Sequence, residues 1–175
     1  MRNKVVKFDL SLNGIDKAIT ELENYKHWIV DKSNQLIQRL AREGYEIAYS
    51  GFSHVAYDGT NDVSLHVEQR NENAVAVVAI GASVLFIEFG TGITYPDNHP
   101  EAAENGMNRG EYGKGHGSQP YWYYYGDPGT NGVVKYNKRG EPVVRTRGNP
   151  ANMTMYNTVR ELEQDMRKIV SEVFV

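Results

Sequence analysis

Between residues 15 and 47 the apolar side chains recur at helical spacing. Ile15, Ala18, Ile19, Leu22 and Tyr25 trace one face, and Ile29, Leu36, Ile37, Leu40 and Ile47 continue it with a slight drift in phase. A stripe of this length predicts one long helix, or two joined near Lys26, His27 and Trp28, ending close to Tyr49. Asn13 is the expected N-cap, with Asp16 three residues later to favour the positive helix start. Gly44 interrupts the pattern at a cost of about 1 kcal/mol relative to alanine. The opposite face is polar, so such a helix must lay its stripe against other elements of the chain.

Those elements are legible downstream. Met155, Val159, Leu162, Met166, Ile169, Val170 and Val173 mark one face of a C-terminal helix, with Asn149 and Pro150 as the expected N-cap and first helical residue. Val63, Leu65 and Val67 alternate with Ser64, His66 and Glu68. Residues 74–80 are more densely apolar, and the two runs predict a β-hairpin turning at 71–73. A second hairpin is expected where 133–136 and 142–145 flank the turn residues 137–140. Val6, Phe8, Leu10 and Leu12 alternate with polar residues and predict a strand across 4–12, while 50–61 is loop-like with turn signals at Gly51 and Asp58-Gly59. Two amphipathic helices over one face of a small antiparallel sheet would satisfy every stripe, giving an α+β fold. The chain reads as a single domain, 1–175, with a core of 4–92 and 133–175 and a Gly- and Tyr-rich loop across 92–132.

Composition narrows the chemistry. The formal net charge of −3 gives no global attraction to nucleic acid or membrane. With no cysteine, thiolate metal sites, disulfides and thiol nucleophiles are excluded. No apolar run approaches the roughly 20 residues of a membrane span, and 1–7 lack a signal-peptide core, so a cytoplasmic, non-membrane setting is the expectation.

Asp97, His99, Glu101, Glu104 and His116 are metal-ligand types in one region, but they sit in a Gly-rich stretch with no rigid element, and a solvated polar loop is the expectation. The glycines of 113–117 lack P-loop spacing, and no Gly-x-Ser-x-Gly elbow presents a nucleophile. Glu88 stands in the apolar run 83–89, directly before Gly90-Thr91-Gly92. A buried carboxylate can be an acid or base, yet no second carboxylate lies at catalytic spacing. The reading adopted is structural, with Glu88 accepting hydrogen bonds from the 90–92 turn or pairing with an arginine, and Glu88, Phe89, Gly90, Thr91 and Gly92 forming the hinge from which the loop leaves the sheet. No catalytic residue, cofactor or metal is expected. Tyr121, Trp122, Tyr123, Tyr124 and Tyr125 cannot all face inward, which predicts an interface first, a folded-back core second, and nucleic acid or sugar stacking third. Lys135, Lys138 and Arg139, with Arg145 and Arg147, make the second hairpin basic.

Two short markers then set the functional expectation: Glu88-Phe89-Gly90-Thr91-Gly92 and, about sixty residues on, Thr146-Arg147-Gly148-Asn149-Pro150-Ala151-Asn152. In this order, after a long helix at 15–49 and a hairpin at 63–81, and before a helix across 149–174, they resemble the neck or tail-completion proteins of tailed phages, also described as head–tail joining or minor tail components. The Gly- and Tyr-rich loop is similar to that of members from phages and prophages of Gram-positive bacteria. The N-terminal stretch 4–12 departs from the pattern, as does Met153, where the family often has proline. The resemblance implies a non-enzymatic virion protein of the neck or tail, present in the host cytoplasm during assembly. It also implies a homo-oligomeric ring, six subunits being one form, in contact with other neck and tail proteins and with phage DNA in the lumen. Two alternatives remain open: a tail terminator capping the tail tube, and a binding module outside the virion that uses the aromatic loop.

Overall fold

The computed structural model describes residues 5–55, 61–92, 98–108, 119–129 and 131–175. Helix α1, Leu12–Ser53, runs unbroken for 42 residues, about 63 Å, with no joint at 26–28. Its N-cap is Ser11 rather than Asn13. The Ser11 hydroxyl accepts from the Gly14 amide at 3.0 Å, while the Ser11 amide donates to Asp9 Oδ1 at 2.8 Å. The strand expected at 4–12 is not formed. Residues 5–9 have no regular structure, and Phe8, Leu10 and Leu12 are more than half exposed, because an alternating pattern becomes a strand only where a sheet edge receives it.

The predicted hairpin is present as β1, Ser64–Asn71, antiparallel to β2, Ala74–Ile80, with Ser64 opposite Ile80 and Asn71 opposite Ala74. A short helix α2, Val84–Phe89, follows. The second hairpin is present too, but it has gained a strand. β3, Trp122–Tyr124, β4, Gly132–Tyr136, and β5, Pro142–Thr146, form an antiparallel sheet in the order β3-β5-β4. The single sheet expected from the sequence is therefore two sheets of two and three strands, and the loop across 92–132 contributes an edge strand to the second. The α+β class stands.

Helix α3, Thr154–Val173, lies antiparallel along the C-terminal half of α1. Thr154 meets Gly51, Thr158 and Leu162 flank Gly44, Arg39 pairs with Glu172 at 2.5 Å, and the Phe174 ring stands edge-on to Trp28. Gly44 earns its place here. A Cβ on it would lie 3.1 Å from Leu162 Cδ1 and 3.5 Å from Val77 Cγ2, so its absence lets α3 and β2 close on α1 together. Ala41, Ala48 and Phe52 of α1 are buried there, with Ile169 and Val173 of α3. The pairing ends near Trp28, so residues 12–27, about 24 Å of helix, extend beyond α3.

Candidate functional site: a joint between the two sequence markers

Helix α2 begins where Asp62 accepts from the Ala82 and Ser83 amides at 2.6 and 3.1 Å. These partners hold the Asp62 carboxyl below its ordinary range, hydrogen bonding from Ser83 being the largest cause. The far end of α2 carries Glu88, buried at 5% exposure. Its Oε2 accepts from the Met155 amide at 2.8 Å and its Oε1 from the Tyr156 amide at 2.9 Å. Glu88 is thus the cap of α3, supplied from a helix 67 residues earlier in the chain. The first amides of a helix have no intrahelical partner, and the positive end of the helix dipole favours a carboxylate.

This corrects the expected role of Glu88: its carboxylate bonds α3 and His99 rather than the 90–92 turn or an arginine. It also moves the helix start. Asn149 and Pro150 precede α3 instead of capping it, and the N-cap position is Met153, left-handed at φ 56° and without a side-chain cap of its own. Methionine has no side-chain oxygen to accept from the first amides, and the distant carboxylate takes them instead.

His99 completes the cluster. Its Nδ1 lies 3.1 Å from the Glu101 amide and must accept, so the proton sits on Nε2, which faces Glu88 Oε1 at 3.3 Å. The imidazole is buried between the rings of Phe89 and Tyr156, at centroid distances of 4.4 and 5.4 Å. With Ala102 also buried, the part of the loop around His99 belongs to the core. The sequence offered His99 only as a metal ligand and gave no sign of this pairing.

The backbones of the two markers interlock around the cluster. Asn152 donates to Ile87 O at 2.8 Å, Met153 to Glu88 O at 3.2 Å, and Thr91 to Asn149 O at 2.8 Å. The Asn149 amide donates in return to the Thr91 hydroxyl at 2.8 Å. Gly148, at φ 104°, lies so close to Thr91 O that a side chain would collide with it. Gly90, at φ 80°, would place a Cβ 2.7 Å from the Ala151 amide nitrogen. Gly92 is covered by the Trp122 ring, which ties the three-stranded sheet to the joint. Both oxygens of Glu88 and both nitrogens of His99 are thus engaged within the protein. The arrangement holds the chain segments together.

The predicted interaction residues divide. Tyr121, Trp122 and Tyr124 are half-buried in or beside β3, whereas Tyr123 and Tyr125 are exposed. Lys135 on β4 and Lys138 and Arg139 in the following turn are exposed. Of the metal-ligand types, Asp97 and His116 lie outside the described residues, as do 113–117 and the Asp58-Gly59 turn. Among the described residues no three potential ligands cluster, and no helix is long and apolar enough to cross a membrane. No protein-family model matches the chain, and neither a curated protein nor a solved structure matches it.

Proposed function

We propose that this chain is a structural component of a tailed-phage virion, a neck or tail-completion protein that joins head and tail as a ring. The observation that carries the proposal is the N-terminal half of α1. Ile15, Ile19 and Leu22 are 36%, 49% and 55% exposed on a length of helix beyond the reach of α3. With Ile29 and Val30 they form an exposed apolar stripe of the kind that marks a protein–protein contact. A repeated head-to-tail contact between identical subunits closes into a ring when its rotation permits. The interlocked markers supply the rigidity such a subunit needs, since α2, α3 and the three-stranded sheet converge on the joint. The subunit would assemble in the host cytoplasm and remain in the particle, against other neck and tail proteins.

Electron microscopy of particles from the genome encoding this chain, labelled with an antibody against it, tests the proposal. The label should sit at the head–tail junction. Purified particles without the protein would contradict it.

A further inference from the structure

The register of the three-stranded sheet decides which side chains share its outer face. Tyr123, Arg145 and Val133 stand directly opposite one another across β3, β5 and β4, and Lys135 stands opposite Val143. Opposed residues of paired strands project to the same side, and Tyr121 and Arg147 adjoin that face just before β3 and just after β5. The Tyr121, Tyr123 and Arg145 side chains agree with this placement, while Val143 on the same side is buried. The Tyr121 and Tyr123 rings meet edge to face with centroids 5.8 Å apart, and the Arg145 guanidinium lies 5.4 Å over the Tyr121 ring. Tyr123 is 53% exposed, and Tyr125, just past the strand, is 71% exposed.

Charge is concentrated on the same module. Residues 121–147 hold Lys135, Lys138, Arg139, Arg145 and Arg147 against Asp127 and Glu141, a net charge of +3 within a chain of −3, so the remainder carries −6. Both carboxylates are occupied locally, Asp127 by the Gly129 amide and Glu141 by the Asn137 side chain. None of the five cations forms an ion pair among the described residues.

We propose that this face binds single-stranded nucleic acid, with bases stacking on Tyr123 and Tyr125 and phosphates on Lys135, Arg147 and the Lys138-Arg139 turn. The surface asks for a repeating anion that also carries flat apolar faces, which an acidic peptide lacks. Tyr123 lies within β3, and Tyr125 lies just past its end, where the Asn137 side-chain amide donates to its hydroxyl at 3.1 Å. Exposed rings stack on base faces that a duplex keeps covered by neighbouring pairs, which favours a single strand. Arg145 is held in place by Tyr121 and keeps positive potential under the path of the strand. The inference stands apart from the virion role, and each can fail without the other.

The test is fluorescence anisotropy of the purified chain with a labelled oligothymidine of about 20 nucleotides, longer than one such site, and with a duplex of equal length. The oligothymidine should bind, more tightly than the duplex and less tightly as salt rises. Replacing Tyr123 and Tyr125 with alanine should weaken binding about tenfold or more, while Tyr123→Phe should hold it within about twofold, since the ring does the stacking. Lys135→Glu with Arg147→Glu should weaken binding and flatten its salt dependence. Circular dichroism on every variant checks that the sheet is intact. Absence of binding by the unaltered chain would overturn the proposal. So would duplex binding equal to single-strand binding, indifference to the tyrosine substitutions, or equal competition by polyglutamate, each of which would leave only a basic surface.

Discussion

One carboxylate sets the geometry of the joint. Glu88 satisfies two amides at the start of α3 and the Nε2 of His99, with Glu88 and His99 buried and the two amide bonds partly so. Removing it strands those donors, and each buried donor left unpaired costs about 1–3 kcal/mol. Glu88→Ala should therefore lower stability by about 3 kcal/mol or more. For a chain of this size that is a fall of roughly 6–12 °C in Tm, measured by thermal unfolding. Glu88→Gln keeps one accepting oxygen but turns an NH2 group toward amides that donate, so its loss should be smaller, about half as large. Equal stability of Glu88→Ala and the unaltered protein would remove the joint from the account. The sequence made Glu88 conspicuous as a lone charge in an apolar run. Its partners could not be read there, because Met155 and Tyr156 contribute only backbone amides, which any residue would carry. The reason for Gly148 was likewise hidden, since the crowding comes from Thr91 in the other marker.

At the scale of elements, α1 divides at Trp28. Residues beyond that point are clamped between α3 and the β1–β2 hairpin, as Gly44 shows between Leu162 and Val77. Residues 12–27 extend past the end of α3 and, although Gly14 and Ala18 are buried, a helical stretch of that length is marginal by itself in water. Amide hydrogen exchange should be fast across 12–27 and slow across 36–52 in the dissociated subunit. In the assembled state the N-terminal part should become protected, as the apolar stripe is covered. Uniform exchange along α1 in both states would contradict this division. Periodicity made α1, α3 and both hairpins legible because each rests on contacts that its own spacing encodes. It failed at 4–12, where alternation described a face without supplying a partner strand. It was silent on β3, whose consecutive aromatics have no period, and on α2, six residues that span less than two helical turns. Pro150 was misplaced as a helix start because the left-handed Met153 and the cap from Glu88 depend on tertiary contacts.

As a whole, the molecule joins a rigid centre to two surfaces with unmet demands. The centre is the interlock of the two markers, on which α2, α3 and the three-stranded sheet converge. One surface is the apolar stripe of α1, which asks for another protein surface. The other is the tyrosine and arginine face of the sheet, which suits a single-stranded nucleic acid. A subunit that bridges neighbours in a ring would use the first, and this is the role proposed here. The most direct measurement inactivates the gene in the genome that encodes this chain and examines the products by electron microscopy. The account predicts filled heads and complete tails that remain separate, with joining restored by the intact gene supplied in trans. Tails of uncontrolled length would instead indicate the terminator role, and normal, joined, infectious particles would contradict the account.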